Sequence, residues 1–317
     1  MISHAAASLK FVLQLYAGCV FSASPWTGAL LLLASALSPY SALLGLAAVG
    51  SALYTARALH LLSVNNPPAV YSYSALFLGL IAARTFADPW VAAAFALLGA
   101  ATSALLTASL RELGQRLALP ALSLPFIAVY SCALGAGRVL GLSWAAPPSA
   151  SHELASHLSA PARLYLEGLG AIACDGRVEV GLLVLTAILA AGLHTTLLTV
   201  LGWAAAFSVS QLLTLAPSLQ LMATVNAMFT ALALGARQYP PSVGSYALAA
   251  LGATFCALCT PSLAAPFGKL ALTPLSLPFN LSFFAWLLVT RQRMPRETVY
   301  SPVLAPTHSV ISQRTLQ

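Results

Sequence analysis

Long apolar runs, separated by short polar or proline-bearing breaks, follow one another from about Phe11 to Val289. The clearest of these runs cover residues 41–56, 75–83, 90–110, 180–205 and 243–259. A helix needs about 20 mostly apolar residues to cross a bilayer, so the pattern predicts an all-α, polytopic membrane protein with about ten crossings. Because the runs are continuous and do not alternate with polar positions, they disfavour a transmembrane β-barrel.

The composition of the chain strengthens this prediction. Of the 317 residues, 59% are hydrophobic and only 7% are charged. A soluble domain carries about 25% charged residues. The chain therefore lacks the polar surface that a globule of this size needs in water, and the lipid bilayer is an expected partner.

The formal net charge of +7 does not come from a basic cluster. The basic residues lie scattered between the apolar runs, for example at Arg57, Arg84, Arg138, Arg163 and Arg237. Nucleic-acid binding needs basic residues gathered on one face, so we expect no nucleic-acid partner.

Three arginines, Arg291, Arg293 and Arg296, directly follow the last apolar run. Because basic residues are enriched on the cytoplasmic side of a membrane, they predict a cytoplasmic C-terminus in the cell membrane. The remaining tail, 296–317, is polar and is predicted to be disordered.

Motifs of metal, redox or enzyme chemistry are incomplete. Cys256 and Cys259 form a CxxC, but no second pair or nearby histidine completes a site, and we interpret both as packing residues. In HELASH, His152 and His157 stand five positions apart, so their rings do not converge as in a zinc-protease motif, and the polar context favours a loop. His194 is alone in an apolar run and is interpreted as a packing residue. We expect no enzyme activity, catalytic residue, metal or cofactor.

One ten-residue stretch is written nearly twice. Residues 117–126 read LALPALSLPF and residues 270–279 read LALTPLSLPF, an offset of 153 positions. At this offset, 15 of the 28 residues in 99–126 are identical to those in 252–279. Matching leucines and alanines are expected in such a composition, but the matching serines, threonines, prolines and glycines indicate a true internal repeat.

The repeat predicts two homologous halves, 1–145 and 161–295, joined by a linker at 146–160. Each half holds about five long runs and one short segment, at 11–22 and 164–174. An odd number of crossings per half inverts the second half relative to the first, and repeated halves build a shared pathway at their interface. The short segments are predicted to be tilted re-entrant pore helices, which a membrane admits only where they line a cavity or are buried in protein.

Proline and serine recur together in the repeated stretch. Inside a helix, Pro125 and Pro278 would kink the chain and free the carbonyl groups four residues earlier, at Ala121 and Pro274. Ser123 and Ser276 place hydroxyls beside these carbonyls. One interpretation is a kinked helix that its own serine repairs. The other, favoured by the second copy, is a row of pore oxygens that also includes the carbonyls of Leu122 and Leu275.

LPALSLPF and LTPLSLPF resemble the duplicated LPxxTxPF signature of the urea transporter family. GCVFSASPWTGALLL at 18–32 is similar to the family's pore-helix stretch, and SYSALFLG at 72–79 to its GYNGxLxG stretch. TVNAMFTA at 224–231 is similar to the second copy of the latter and keeps its asparagine as Asn226, whereas the first copy has Ser74 there. The resemblance covers about 11–290.

The resemblance implies two inverted five-helix halves, each with a tilted half-helix, and a homotrimer with one pore per subunit. Urea, or a similar small amide, would pass in single file between aromatic and aliphatic side chains. Ser123 and Ser276 take the places of the family's threonines. The slot-lining positions fall on Phe21, Tyr73, Phe77, Cys174, Val225 and Phe229.

The short pore helices depart from the family's pattern. The glutamine or glutamate that meets the substrate amide is replaced by Gly18 and Ala171. Gln14 and Glu167 stand one helical turn earlier, and they either take over the amide contact or anchor the helix ends near the interface. The substrate is therefore expected to be urea, a longer or less polar amide, or another small neutral solute, and a coupled transporter for such a solute is the alternative function.

Overall fold

A computed structural model describes residues 2–64, 66–117, 119–146, 152–238 and 241–291, and 13 α-helices account for nearly all regular structure in these ranges. The first six are α1 (Ile2–Gly18), α2 (Pro25–Ala36), α3 (Pro39–Ala58), α4 (Pro68–Thr85), α5 (Pro89–Leu117) and α6 (Leu124–Val139). They are followed by α7 (His152–Ser156), α8 (Ala160–Ile172), α9 (Val178–Ala191), α10 (Leu193–Leu212), α11 (Pro217–Leu232), α12 (Val243–Lys269) and α13 (Leu277–Arg291), with a π-helical segment at Ala233–Gln238.

Proline marks the starts of many of these helices. Pro25, Pro39, Pro68 and Pro217 are the first residues of α2, α3, α4 and α11. The first N–H groups of a helix have no acceptor within it, so a residue without an N–H loses nothing there, and the fixed φ of proline suits the first turn. Some of the proline-bearing breaks between the apolar runs are therefore the first turns of helices, and not only loops.

The helices have the length and composition of membrane spans. Four are long and apolar enough to cross a bilayer, over Pro89–Gly114, Leu193–Leu212, Pro217–Ala236 and Val243–Lys269. Shorter apolar helices cover Pro25–Ala36, Leu124–Val139, Val178–Ala191 and Leu277–Val289. Large apolar side chains also face outward, such as Trp26 at 77% exposure and Trp90 at 82%. The predicted all-α, polytopic membrane protein is confirmed, whereas the number of crossings stays a prediction.

The second set of helices, α8–α13, repeats the first set, α1–α6, in order. Pro25 and Val178, which begin α2 and α9, stand 153 positions apart. The repetition extends to rare backbone conformations, because left-handed φ angles recur at Phe21 (57°) and Cys174 (58°), also 153 positions apart. The proposed half boundaries and the inverted orientation stay predictions.

Two glycines let neighbouring helices approach closely at equivalent places in the repeat. A Cβ atom on Gly28 would lie 1.8 Å from the carbonyl oxygen of Leu13, and one on Gly181 would lie 2.0 Å from that of Leu166. No side chain fits at either distance. These contacts hold α2 against α1 and α9 against α8, and α2 also packs against α9. The four helices share one buried cluster, which includes Leu15, Val20, Leu169, Val184 and Ile188.

Several predicted segments differ from the structure. The first short segment, expected at 11–22, is the helix Ile2–Gly18, and the second, expected at 164–174, is the helix Ala160–Ile172. At 17 and 13 residues, both are still shorter than a full span. The HELASH stretch, expected to be a loop, forms the short helix α7 at His152–Ser156. Residues 147–151 of the linker and the C-terminal tail, with Arg293 and Arg296, lie outside the described residues.

We expect Gly28→Ala and Gly181→Ala each to destabilise the protein, because an added methyl overlaps a backbone oxygen that cannot move aside. Overpacking of this kind costs about 1–3 kcal/mol or more. Gly50→Ala is the matched control, since a Cβ atom there meets nothing within 4 Å and alanine favours the helix. Thermal unfolding of the detergent-purified protein should show lower melting temperatures for the first two variants only. Equal melting temperatures for all three would contradict the close approach.

Candidate functional site

A cavity of about 450 Å³ lies between the two sets of helices. Thirteen of the seventeen predicted site residues line it, namely Gly18, Phe21, Tyr73, Phe77, Ala121, Leu122, Ser123, Ala171, Cys174, Val225, Phe229, Leu275 and Ser276. The other four, Gln14, Glu167, Asn226 and Pro274, are not part of its lining. The structure thus brings most of the predicted residues together, and their roles in transport stay predictions.

The repeated SLPF segments form tight turns at the start of helices. Leu122 and Leu275 adopt left-handed φ angles of 45° and 52°, which reverse the chain before α6 and α13. Pro125 and Pro278 are the second residues of these two helices. The prediction of a proline kink inside a helix is therefore wrong, because each proline stands where a helix begins and no backbone N–H is needed.

The carbonyl groups expected to be freed by the prolines accept hydrogen bonds within the turns. The oxygen of Ala121 accepts from the backbone N–H of Leu124 at 3.2 Å, and that of Pro274 accepts from Leu277 at 2.9 Å. A carbonyl oxygen has a second lone pair, so the oxygen of Ala121, a residue that lines the cavity, keeps an acceptor site.

The two turns meet at their serines. The Oγ atoms of Ser123 and Ser276 lie 2.8 Å apart and share a hydrogen bond. Asn280, from α13, donates from its Nδ2 to Ser123 Oγ at 2.7 Å and to the Ser276 carbonyl at 2.6 Å. The two serine hydroxyls carry two hydrogens, and one of these forms the bond between the serines. The other hydroxyl hydrogen is left to bond another acceptor. Asn280 was not predicted as a site residue, because it is one of few polar residues in a largely apolar helix.

Asn226 braces the second turn and does not face the cavity. Its Nδ2 donates to the carbonyl oxygen of Leu275 at 2.9 Å, and its Oδ1 accepts from the backbone N–H of Phe279 at 3.0 Å. The side chain is only 2% exposed. The asparagine singled out by the sequence therefore fixes the shape of a cavity wall.

Two pairs of phenylalanine rings line the cavity together with the serine pair. Phe77 and Phe126 have ring centroids 5.9 Å apart, and the equivalent Phe229 and Phe279 have centroids 5.6 Å apart. All four line the cavity. The final phenylalanine of each SLPF copy was the available signal for Phe126 and Phe279, which were not predicted as site residues.

Contacts across the cavity are reciprocal. Phe21 packs in the same cluster as Phe229, and its repeat equivalent Cys174 lies with its Sγ 4.0 Å from the carbonyl oxygen of Phe77. Reciprocal contacts between equivalent elements are the mark of a two-fold arrangement. From these contacts we infer a pseudo-two-fold axis between Ser123 and Ser276, and the inverted orientation of the two halves stays a prediction.

The two short helices present different walls to the cavity. A Cβ atom on Gly18 would lie 2.1 Å from the hydroxyl oxygen of Tyr73, so this ring fills the space that a side chain at position 18 would need. At the equivalent positions of the second set, Ala171 and Val225 line the cavity with methyl groups. The symmetry of the backbone is thus broken by the side chains.

Gln14 and Glu167 lie outside the lining of the cavity. Gln14 is exposed. Glu167 is paired with Arg163 one turn earlier on α8, at 3.5 Å. The roles of both residues stay predictions.

A charged cluster beside the cavity joins the two sets of helices. Asp175, in the α8–α9 turn, is 4% exposed and pairs with Arg84 from α4 and with Arg177 at 2.7 Å. Arg177 also donates to Ser38 Oγ, in the α2–α3 turn, at 2.8 Å. The repeat equivalent of Asp175 is Ser22, so the cluster has no equivalent carboxylate in the first set. Asp175 was not among the site residues predicted from the sequence.

His194 and the CxxC cysteines lie away from the cavity. The imidazole of His194 bridges the Tyr246 hydroxyl at 2.7 Å and the Gly235 carbonyl at 3.1 Å, so it ties α10 to α12 and the π-helical segment. Cys256 is fully buried on α12, and Cys259 is partly buried. These positions agree with packing roles.

We expect Asp175→Asn to destabilise the protein by about 3–5 kcal/mol, because it leaves two guanidinium groups facing each other without a counter-charge. The matched control is Glu167→Gln, which removes the half-exposed pair with Arg163 and should cost at most about 1 kcal/mol. Unfolding in detergent measures both. A melting temperature of Asp175→Asn as high as that of the control would show that the cluster does not hold the helices together.

Gly18→Ala should displace the Tyr73 ring and lower the melting temperature, since overpacking costs about 1–3 kcal/mol. Tyr73→Val in the same chain removes the ring and should restore stability. A double-mutant cycle on the purified protein measures this compensation. Additive effects of the two substitutions would mean that the two residues do not compete for space.

The model of a known protein family matches most of the chain. The model of the urea transporter family matches residues 9–291. None of the curated proteins compared with the chain matches it significantly.

Proposed function

Because the chain belongs to the urea transporter family, we propose that it lets urea or a similar small neutral amide diffuse down its gradient through the cavity between its two sets of helices. Family membership supports transport of urea across a membrane. The observation that carries the finer proposal is the hydrogen-bonded pair of Ser123 and Ser276, which lines the cavity together with two phenylalanine pairs.

The chemistry of the cavity suits a flat, neutral solute rich in N–H groups. Urea loses water when it enters, and each unmatched polar group costs free energy in an apolar site. The serine hydroxyls and the Ala121 carbonyl can accept its N–H groups, and the spare serine hydrogen can donate to its carbonyl oxygen. Phenylalanine rings cannot replace the water around an ion, so the same cavity walls disfavour the entry of ions.

Diffusion through the cavity needs no coupled ion. Asp175, the buried carboxylate beside it, is held by the side chains of Arg84 and Arg177, which favours a structural role over proton transfer. The Ser123–Ser276 hydrogen bond is neutral, and a solute that hydrogen-bonds with both hydroxyls can replace it as it passes. These observations favour a channel over a coupled transporter.

The pseudo-two-fold axis is proposed to lie in the plane of the membrane, so that the two sets of helices are inverted and the pathway runs from one face to the other. The resemblance to the family supports a homotrimer with one pathway per subunit. Arg291, Arg293 and Arg296 support a cytoplasmic C-terminus in the cell membrane.

Stopped-flow light scattering on proteoliposomes tests the proposal. The protein should raise the rate of urea entry above that of empty liposomes. Ser123→Ala and Ser276→Ala should each lower this rate between about 2-fold and 10-fold, the effect of losing one neutral hydrogen bond. Threonine at both positions keeps the hydroxyls and should preserve the flux.

Ser109→Ala is the control, because this serine is exposed on α5 and its hydroxyl bonds only to its own helix, at the Leu105 carbonyl. Its urea flux should equal that of the unmodified protein. A rate of urea entry equal to that of empty liposomes, for a protein that remains folded, would overturn the proposed function.

A further inference from the structure

We propose that the cavity distinguishes the two ends of an amide, with the Tyr73 hydroxyl as the hydrogen-bonding contact at one end and the methyl groups around Val225 as an alkyl subsite at the other. The preferred substrates are then small amides with one alkyl group in place of an N–H₂ group. This inference rests on the proposed function and names the substrate class of the same cavity.

The first observation is that the ring of Tyr73 fills the space beside Gly18, which has no side chain. A Cβ atom on Gly18 would lie 2.1 Å from the Tyr73 hydroxyl oxygen. The hydroxyl therefore occupies the space that a side chain at position 18 of the short helix would need. Tyr73 reaches there from α4 and lines the cavity. A hydroxyl both donates and accepts, so Tyr73 can bond either the carbonyl or the N–H group of an amide.

The second observation is the absence of such a group at the equivalent place in the second set. Ala171 and Val225, the equivalents of Gly18 and Tyr73, both line the cavity, and Ile172 stands beside them. Here α8 packs directly on α11, because a Cβ atom on Gly168 would lie 2.8 Å from the Thr224 methyl group. No tyrosine ring separates these two helices, and their cavity wall is formed by aliphatic groups.

The third observation extends the difference along the cavity. Arg111 lines the cavity with Val70, one helical turn before Tyr73, and its Nε is held by the Asn66 Oδ1 at 2.9 Å. The repeat equivalent of Arg111 is Ala264, which is not part of the lining. The cavity wall with the Tyr73 hydroxyl therefore also has the positive charge of Arg111, which attracts the carbonyl oxygen of an amide.

Residues related by the pseudo-two-fold axis lie on opposite sides of the serine pair. The cavity thus has a polar wall, with Tyr73 and Arg111, in the first set of helices and an aliphatic wall, with Ala171 and Val225, in the second. Urea must place an N–H₂ group against the aliphatic wall, where it finds no acceptor and loses its water. Acetamide, which has the same shape with a methyl group in that place, loses nothing there.

The experiment compares acetamide with urea in the same proteoliposomes, after the rates of empty liposomes have been subtracted. Leaving one polar group unmatched costs enough to reduce a rate about 5-fold or more, so acetamide should exceed urea by at least that factor. Tyr73→Phe should lower the flux of both amides, between about 2-fold and 10-fold. Val225→Asn adds hydrogen-bonding groups to the aliphatic wall and should shift the ratio toward urea.

Tyr54→Phe is the matched control, since Tyr54 is 76% exposed on the outside of α3 and away from the cavity. A urea flux equal to or above the acetamide flux overturns the alkyl subsite and leaves the proposed function standing. Equal fluxes of Tyr73→Phe and Tyr54→Phe overturn the role of Tyr73. Absence of flux for both amides overturns the proposed function itself.

Discussion

The structure depends on how the chain reverses its direction within an apolar environment. Every backbone polar group there must find a partner inside the protein, which restricts irregular backbone to places where protein surrounds it. The turns at Leu122 and Leu275 meet this constraint by facing each other. Their serines share a hydrogen bond, Asn280 bonds to both turns, and Asn226 fixes the second turn from behind. The cavity is formed around this junction.

Much of the architecture could be predicted because it follows from repetition and from hydrophobic pattern. The 153-residue offset identified equivalent positions, and these positions converge on one cavity. The proline kink was wrong because LSLPF reads the same whether proline interrupts a helix or begins one, and leucine does not signal a left-handed turn as glycine does. Asn280 and Asp175 were missed because the contacts that join them to the other set of helices, with Ser123 and Arg84, are more than 90 positions away in the chain.

The two sets of helices share a backbone plan and differ in their side chains. The close approaches at Gly28 and Gly181 are nearly identical. A larger residue at either position would separate α1 from α2 or α8 from α9. The Asp175 cluster and the Tyr73 hydroxyl, in contrast, each occur once. A duplicated framework can diverge in this way, because the packing contacts maintain the shape while individual cavity residues change the chemistry of one side.

The hydrogen bonds between Asn280 and the serines also bear on whether protons can pass along this junction. A chain of hydrogen bonds relays protons only if every link can reverse its direction. The Asn280 amide holds two acceptors, Ser123 Oγ and the Ser276 carbonyl, and an amide nitrogen neither takes up nor releases a proton near neutral pH. The hydrogen bond from Asn280 to Ser123 therefore cannot reverse its direction, whereas the bond between the two serines can. A relay of protons along these hydrogen bonds would end at Asn280.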